Sequence, residues 1–197
     1  MSDVLVLYYS RYGATESLAR EVCRGVDSVK GVAARLRTVP AVSAVTEASE
    51  DSVPDSGPPY VTATDLAECS GIVMGSPTRF GNMSSALKYF IDSTGGEWMK
   101  GSLIGKPAGV FTSTSSLHGG SETTLLTMAI PLLHHGMIYV GLPYSEAALS
   151  TTTTGGSLYG ATHVTWSRTP DVLSDDEKTL AVALGKRVAE IAKKLDD

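Results

Sequence analysis

The chain has few cysteines and few basic residues. Its two cysteines, Cys23 and Cys69, have no motif spacing, which favours two buried thiols in a reducing cytoplasm over a disulfide or a redox pair. Its 16 lysines and arginines form no cluster and are outnumbered by 21 aspartates and glutamates, for a net charge of −5. The composition therefore predicts no nucleic-acid partner and no attraction to an anionic membrane surface.

The chain also lacks a long hydrophobic run. No apolar stretch approaches the roughly 20 residues that span a bilayer, and no basic segment precedes an apolar one at the N-terminus. These absences predict neither membrane insertion nor a signal peptide, and we expect a cytoplasmic protein without a metal site. With 197 residues, 42% of them hydrophobic, we expect a single domain over residues 1–197.

What is present is an alternation of strand and helix patterns. The predicted strands are 3–9, 32–39, 71–76, 107–113 and 136–142. The predicted helices are one from Thr15, one over 82–93, one from Ser121 with a kink at Pro131, and one opened by the capping box Ser174–Glu177. This order predicts an α/β fold, in which a doubly wound parallel sheet of five strands lies between two layers of helices. The segments 40–63 and 143–173 are expected to be long loops.

Hydroxyl groups and glycines follow the first, third and fourth predicted strands. The segments are 10–15, 76–82 and 113–120, and none of them contains an acidic residue. In doubly wound sheets, ligands bind at the carboxyl ends of the strands, where the strand order reverses. We therefore expect the three segments to form one site.

The first segment has the features of a phosphate site. Ser10 and Thr15 offer hydroxyl groups, Gly13 lets the backbone approach a ligand, and the first amides of the following helix have no partner within it. Taken alone, the segment fits equally well the alternative that its hydroxyl residues only cap the helix. Because it is neither G-x-G-x-x-G nor G-x-x-x-x-G-K-[ST], one phosphate monoester fits better than a dinucleotide or a P-loop ligand. FMN carries such a phosphate, and the flavodoxin-like strand order 2-1-3-4-5 binds FMN at this position.

The second segment suits a flat heterocycle. Thr78, Arg79 and Phe80 can supply backbone amides and a planar side wall to a ring system. Pro77 fixes the exit from the strand, and Gly81 allows the chain to turn. An ordinary turn between a strand and a helix is the less favoured alternative.

The third segment and two further residues complete the candidate site. Ser113, Thr114 and Gly119 would close the wall around an isoalloxazine ring, with a solvated polar loop as a comparable alternative. His134 ends a predicted helix, where a histidine is more often a partner of the helix dipole, but beside a flavin it could stabilise negative charge on the reduced ring. Trp98 lies in a predicted loop, either as a surface anchor or stacked on a substrate.

Four longer motifs resemble one known family. They are "VLVLYYSRYGATESLA", "GSPTRFGNMS", "DSTGGEWMKG" and "HHGM". Together with the later "LYGAT", they are similar to the tryptophan-repressor-binding-protein (WrbA) family, the flavodoxin-like type IV NAD(P)H:quinone oxidoreductases, over nearly the whole chain. "PTRFGNM" is highly specific for this family, whereas the loop after the first strand is shared with flavodoxins at large.

The resemblance implies a cofactor and its ligands. FMN would be bound by Ser10, Arg11, Tyr12, Gly13, Ala14, Thr15, Pro77, Thr78, Arg79, Phe80, Gly81, Ser113, Thr114, Ser115, Ser116, Leu117, His118, Gly119 and His134. Tyr12 would also contact the hydride donor, NADH or NADPH, and Trp98 would contact the quinone. The family's third loop is usually richer in glycine, and Leu117 and His118 resemble an insertion into it. His135 stays an alternative to His134.

The resemblance also implies the activity. It would be the two-electron reduction of quinones to hydroquinones by NADH or NADPH, in ping-pong fashion at a shared site, by a homotetramer that protects against oxidative stress. No nucleophile or carboxylate pair is placed at the strand ends, so no catalytic residue is predicted. A one-electron flavodoxin-type carrier and a non-enzymatic regulatory flavoprotein are the alternatives. A phosphoacceptor receiver domain has the same topology but needs acids where the chain has Ser10 and Thr78.

Overall fold

The computed structural model describes residues 2–43, 53–165 and 172–196 of the chain. Within these ranges one sheet is formed by β1 (Ser2–Tyr8), β2 (Val32–Thr38), β3 (Gly71–Pro77), β4 (Pro107–Thr114), β5 (Ile138–Tyr139) and β6 (Ala161–Val164). The helices are α1 (Ala14–Asp27), α2 (Ala63–Glu68), α3 (Ser85–Ser93), α4 (Gly95–Lys100), α5 (Ser121–His134), α6 (Ala148–Thr151) and α7 (Asp175–Asp196).

The sheet is parallel and has the order β2-β1-β3-β4-β5, which confirms the predicted topology. β1 and β3 are buried on both faces, as their continuous apolar runs predict, whereas β2 lies at an edge and is only partly buried. The order reverses between β1 and β3, and there the carboxyl ends of β1, β3 and β4 lie side by side.

The fifth predicted strand is shorter than expected, and the sheet has a sixth strand in addition to the five predicted. Of the predicted strand 136–142, only Ile138–Tyr139 pairs with the start of β4. The chain then leaves the sheet and returns as β6, which pairs with the end of β4 from Phe111 to Thr114. α6 and β6 therefore lie in the predicted loop 143–173. Both elements are only four residues long, too short for a helical or strand period to show in the sequence.

Gly160 lets the returning chain close against the sheet. Its φ is 157°, and a Cβ at this position would overlap the carbonyl oxygen of Val110 in β4. At the base of the segment between β5 and β6, the Leu142 N–H donates to the Leu158 carbonyl across 2.8 Å. β6 consequently continues the sheet where β5 ends.

Helices α1 and α7 cross closely on one face of the sheet. Leu18 of α1 and Leu184 of α7 belong to a buried cluster that includes residues of β1. Gly25 and Gly185 lie at the crossing, where a Cβ on Gly185 would overlap the carbonyl oxygen of Val22. The absent side chains let the two backbones approach, and this packing fixes the start of α1 relative to the sheet.

Helices α3 and α5 cover the other face. Leu87 and Leu125 are fully buried there in a second cluster with β3 and β4. The predicted helix 82–93 begins only at Ser85, because the preceding residues form a tight turn. A kink is expected at Pro131, but α5 continues past this proline as one helix and ends at His134. None of the helices in the described ranges combines the length and apolar character that a membrane crossing requires.

Candidate functional site

A cavity of about 230 Å³ lies at the carboxyl ends of β1, β3 and β4. All three predicted segments contribute to it, as predicted from the sheet topology. It is lined by Ser10, Arg11, Tyr12, Ala14, Thr15, Pro77, Thr78, Arg79, Ser113, Thr114, Ser115 and Thr165. The lining residues in the described part of the chain include hydroxyl groups and two guanidinium groups but no carboxylate.

The start of α1 forms one end of this cavity. Gly13 caps α1 in the left-handed conformation, with a φ of 90°, and its N–H donates to Ser10 Oγ across 3.1 Å. No side chain caps α1, so its first amides are available to a ligand. The buried hydroxyl of Thr15 lies 2.8 Å from that of Ser113 at the end of β4. Hydroxyl groups, free amides and the positive end of a helix dipole together make a seat for a phosphate.

A tight turn follows β3. The backbone groups of Arg79 and Asn82 exchange hydrogen bonds of 2.7 and 3.1 Å, and both residues between them have positive φ, 54° for Phe80 and 76° for Gly81. Such a conformation is strained for a bulky residue. The Phe80 side chain is fully exposed, and neither Phe80 nor Gly81 lines the cavity. The turn therefore presents an aromatic ring outward beside the cavity.

The loop after β4 is only partly in the cavity. Ser115 lines it, whereas Leu117 and His118 line a separate cavity of about 500 Å³ beside the start of α5. Ser116 and Gly119 also lie outside the first cavity; the Gly119 N–H donates to the Ser116 carbonyl across 3.1 Å. Leu117 and His118, which resemble an insertion, therefore do not line the cavity that contains the phosphate seat.

Thr165 lines the cavity although no sequence motif indicates it. It follows β6, and its N–H donates to the Thr114 carbonyl across 2.9 Å. The prediction of a long loop over 143–173 hides this fourth wall of the cavity. The small set of hydroxyl residues around "LYGAT" is the only signal that could have indicated it.

A buried carboxylate holds that fourth wall. Glu177 of α7 accepts hydrogen bonds from the backbone N–H groups of Gly155, Val164 and Ser174, at 2.9, 3.1 and 2.8 Å, and from His163 Nδ1 at 2.9 Å. Burial alone would raise the pKa of Glu177, but the bonds from His163 and the backbone outweigh it and lower the pKa to about 2. The predicted capping box is confirmed, and its glutamate also ties α7 to β6.

Trp98 and His134 lie in a different place from the other predicted site residues. Trp98 belongs to α4 rather than to a loop, because six residues from Gly95 to Lys100 close a short helix. Its indole N–H donates to the His134 carbonyl across 2.8 Å. Both residues line a groove of about 530 Å³ between α3, α4 and α5, not the cavity at the strand ends. One chain therefore does not bring these two residues to the phosphate seat.

The two neighbouring histidines differ in exposure. His135 Nε2 lies 2.9 Å from Thr94 Oγ1, and burial lowers the pKa of this imidazole. Its Nδ1 is buried with no hydrogen-bond partner in the described part of the protein. The side chain of His134 is exposed at the rim of the groove. His134 is thus the one of the two that is free to meet a ligand from outside.

The thiols take no part in the site. Cys69 is buried and Cys23 is half-buried, and neither forms a disulfide. Burial raises the pKa of Cys69 to about 11 and that of Cys23 to about 12, so both are protonated at neutral pH. Across the described ranges, no group of three or more His, Cys, Asp or Glu side chains could hold a metal ion.

The donors of the cavity fit FMN. A terminal phosphate is matched by the hydroxyls of Ser10, Thr15 and Ser113 and by the amides that begin α1. The backbone after β3 and β4 lies beside this seat and can hydrogen-bond the edge of a flat ring. Without a lining carboxylate, the described walls do not repel the phosphate charge.

Comparisons with known proteins identify the family and the fold. A sequence model of the NADPH-dependent FMN reductase family matches residues 4–151. An NAD(P)H dehydrogenase (quinone) from Solidesulfovibrio magneticus is 43% identical over 200 residues, covering 98% of both chains. The fold matches a flavodoxin, a WrbA-like protein from Agrobacterium tumefaciens, with a TM-score of 0.69 and 24% identity over 98% of this chain and 99% of that one. A flavodoxin from the domain Archaea matches with a TM-score of 0.64 and 19% identity over 97% and 99%.

Proposed function

The chain belongs to the NADPH-dependent FMN reductase family, and we propose that it is an FMN-dependent NAD(P)H dehydrogenase that reduces quinones. The observation that carries this proposal is the convergence of three hydroxyl-rich loops on one cavity without a lining carboxylate in the described chain. The full-length similarity to an NAD(P)H dehydrogenase (quinone) supports the choice of substrates.

The residues of the chain bind and orient rather than react. Bound FMN supplies the redox chemistry, since it can take up a hydride from a nicotinamide and pass two electrons to a quinone. The Thr15 and Ser113 hydroxyls and the α1 amides anchor the phosphate. The backbone near Thr78 and Ser115 orients the ring. Tyr12 is 71% exposed at the rim of the cavity, where a nicotinamide can stack on it.

The nicotinamide donor and the quinone acceptor bind in turn at the same open side of the cavity. The nicotinamide product must leave before the quinone enters, which makes the reaction ping-pong with a two-electron transfer in each half. Steady-state initial rates at several fixed quinone concentrations test this step. Parallel double-reciprocal lines are expected, and lines that converge would show that donor and acceptor bind together.

Cofactor binding and turnover test the whole assignment. The purified protein is expected to be yellow, or to become so on addition of FMN, and to reduce benzoquinone with a nicotinamide donor only when FMN is bound. Titration calorimetry with FMN, followed by rate measurements with and without added FMN, separates binding from activity. A colourless protein that releases no heat with FMN would exclude the proposal.

The active assembly is a homotetramer, a dimer of dimers. Support comes from exposed apolar side chains: Ile130 lines the groove of Trp98, and Met99 and Leu133 are exposed next to Trp98 and His134 in the chain. Exposed apolar side chains of this kind favour a protein partner. In this assembly Trp98 and His134 of one subunit complete the flavin cavity of a neighbour, which one chain does not do alone.

Mixed oligomers test the shared site. Thr15→Val impairs the phosphate seat, and Trp98→Ala removes the aromatic ring, so each variant alone is expected to have low activity. When the two are co-expressed with different tags, a neighbouring pair supplies one intact seat and one intact tryptophan. Activity above the mean of the two variants supports the shared site, and activity equal to that mean contradicts it. Light scattering of the wild type gives the number of subunits.

Three wider features of the proposal rest on the composition of the chain and on its family resemblance. They are the organisation of residues 1–197 as one domain, a cytoplasmic location and a role against oxidative stress. Limited proteolysis tests the first, cell fractionation the second, and quinone sensitivity of a deletion strain the third.

A further inference from the structure

Two arginines line the cavity without a carboxylate partner. Arg11 follows β1 and Arg79 follows β3, so different loops bring them to the same cavity. Neither forms an ion pair with any described acidic residue, whereas Arg20 and Arg24 of α1 pair with Glu16 and Glu21 of the same helix. In a protein with a net charge of −5, these two uncompensated cations mark a place for an anion.

Both guanidinium groups lie at the mouth of the cavity. Arg11 Cζ is 5.6 Å from the centre of the Tyr12 ring, and that ring is 71% exposed. Arg79 Nη1 donates to the Thr78 carbonyl across 2.7 Å, which holds its side chain at the end of β3. The charges are therefore at the rim, where a second ligand would enter.

The phosphate of FMN does not require these arginines. Its seat has the hydroxyls of Ser10, Thr15 and Ser113 and the first amides of α1. A guanidinium fork matches the oxygens of a phosphate in a bidentate manner, and Arg11 and Arg79 remain available for one. The hydride donor, NADH or NADPH, is the other ligand expected beside Tyr12, and it can carry a further phosphate.

We propose that Arg11 and Arg79 bind the 2′-phosphate of NADPH and make it the preferred donor over NADH. This inference rests on the proposed function, because it assigns the donor of the same site. NADPH differs from NADH only by this phosphate, and an arginine beside a nucleotide site is the usual way to accommodate it. Hydrogen bonds to a charged group of this kind give a preference of about 10- to 100-fold.

Equilibrium binding gives a test that does not depend on turnover. Adenosine 2′,5′-diphosphate and adenosine 5′-monophosphate, which differ by the 2′-phosphate, are titrated into the FMN-loaded protein by calorimetry. The diphosphate is expected to bind about tenfold or more tightly. Arg11→Gln and Arg79→Gln should each reduce this difference, and Arg11→Lys should restore part of it, because the charge returns without the fork. Arg24→Gln, an exposed arginine outside the cavity, should retain the wild-type difference.

Kinetics and FMN affinity complete the experiment. The ratio of kcat/KM for NADPH to that for NADH should fall in the two glutamine variants in proportion to the lost binding difference. Equal affinity for the two adenosine phosphates in the wild type would overturn the proposal. So would glutamine variants that weaken FMN and leave the nucleotide difference intact, since the arginines would then hold the phosphate of FMN. If neither nucleotide supports quinone reduction, the proposed function fails, while the adenosine titration still decides whether the arginines read a 2′-phosphate.

Discussion

The hydroxyl groups of Thr15 and Ser113 lie 2.8 Å apart although 98 residues separate them in the chain. Both side chains are buried, one at the first turn of α1 and the other at the end of β4. The pair joins the start of α1, where we propose that the phosphate of FMN binds, to the end of β4. If the proposed phosphate seat is correct, substitutions in this pair should weaken FMN binding.

Thr15→Val removes this hydroxyl with little change in shape. The substitution leaves Ser113 Oγ without that partner and takes a donor from the phosphate seat, so the Kd for FMN should rise about 10- to 100-fold. Thr15→Ser keeps the hydroxyl and should bind FMN within about threefold of the wild type. Fluorescence titration of FMN measures both. Equal weakening by the two variants would assign the loss to packing instead.

Glu177→Gln should destabilise the fold by about 2–4 kcal/mol, because it leaves His163 and three backbone donors around a neutral amide. The effect should depend on pH. The folded-state pKa of about 2 lies below the ordinary value of 4.5, so the carboxylate stabilises the fold fully above pH 4.5 and loses this contribution as the pH falls towards 2.

Urea unfolding at pH 7 and pH 3 measures this dependence. The wild type should lose more stability than Glu177→Gln between the two pH values. Glu190→Gln, an exposed residue of the same helix, serves as the control and should resemble the wild type. Parallel losses in all three proteins would contradict the role of Glu177.

Gly185→Ala tests the close crossing of α1 and α7. A methyl group there overlaps the Val22 carbonyl, so the helices must separate, and we expect a loss of about 1–3 kcal/mol in the free energy of unfolding. Gly96→Ala in α4 meets no atom within 4 Å and should be neutral or slightly stabilising. Thermal unfolding of the two variants gives the comparison; similar melting temperatures would contradict the predicted contact.

Asp65→Asn tests the ion pair between Asp65 and Arg37 of the edge strand β2. Asp65 is buried and accepts hydrogen bonds from Thr62 and Arg37; these bonds outweigh the effect of burial and lower its pKa. The neutral amide should cost about 1–3 kcal/mol of stability at pH 7. Because the folded-state pKa is lowered, the wild type should approach the variant as the pH falls below the ordinary value of 3.8. Chemical unfolding across that pH range measures the difference in stability between the wild type and Asp65→Asn. A difference that does not change with pH would contradict the role of the Asp65 charge.

Much of the fold and of the site could be predicted because it is encoded locally. The apolar run that ends at Tyr8, with Gly13 and Thr15 just after it, indicates a buried strand followed by a ligand-binding turn. The alternation of strands and helices then predicts a parallel sheet, and in such a sheet the three loops lie at the same edge. The family resemblance drawn from the same motifs is confirmed.

What could not be predicted depends on contacts between distant segments. The four residues of β6 have no readable period, and they pair only because β4 offers the open edge that β5 leaves. The capping box at Ser174 is visible in the sequence, but the bond from His163 to Glu177 is not, since it needs β6 in place. The helix of Trp98 is equally hidden, because "GGEW" begins with two residues that disfavour helices.

The position of Glu177 on α7 has a consequence for biosynthesis. α7 follows every other described element, yet its glutamate fixes the backbone beside Thr165. During translation, the loops after β1, β3 and β4 leave the ribosome before α7 does. The residues of three walls of the cavity are therefore synthesised before Glu177, the carboxylate that holds the fourth wall.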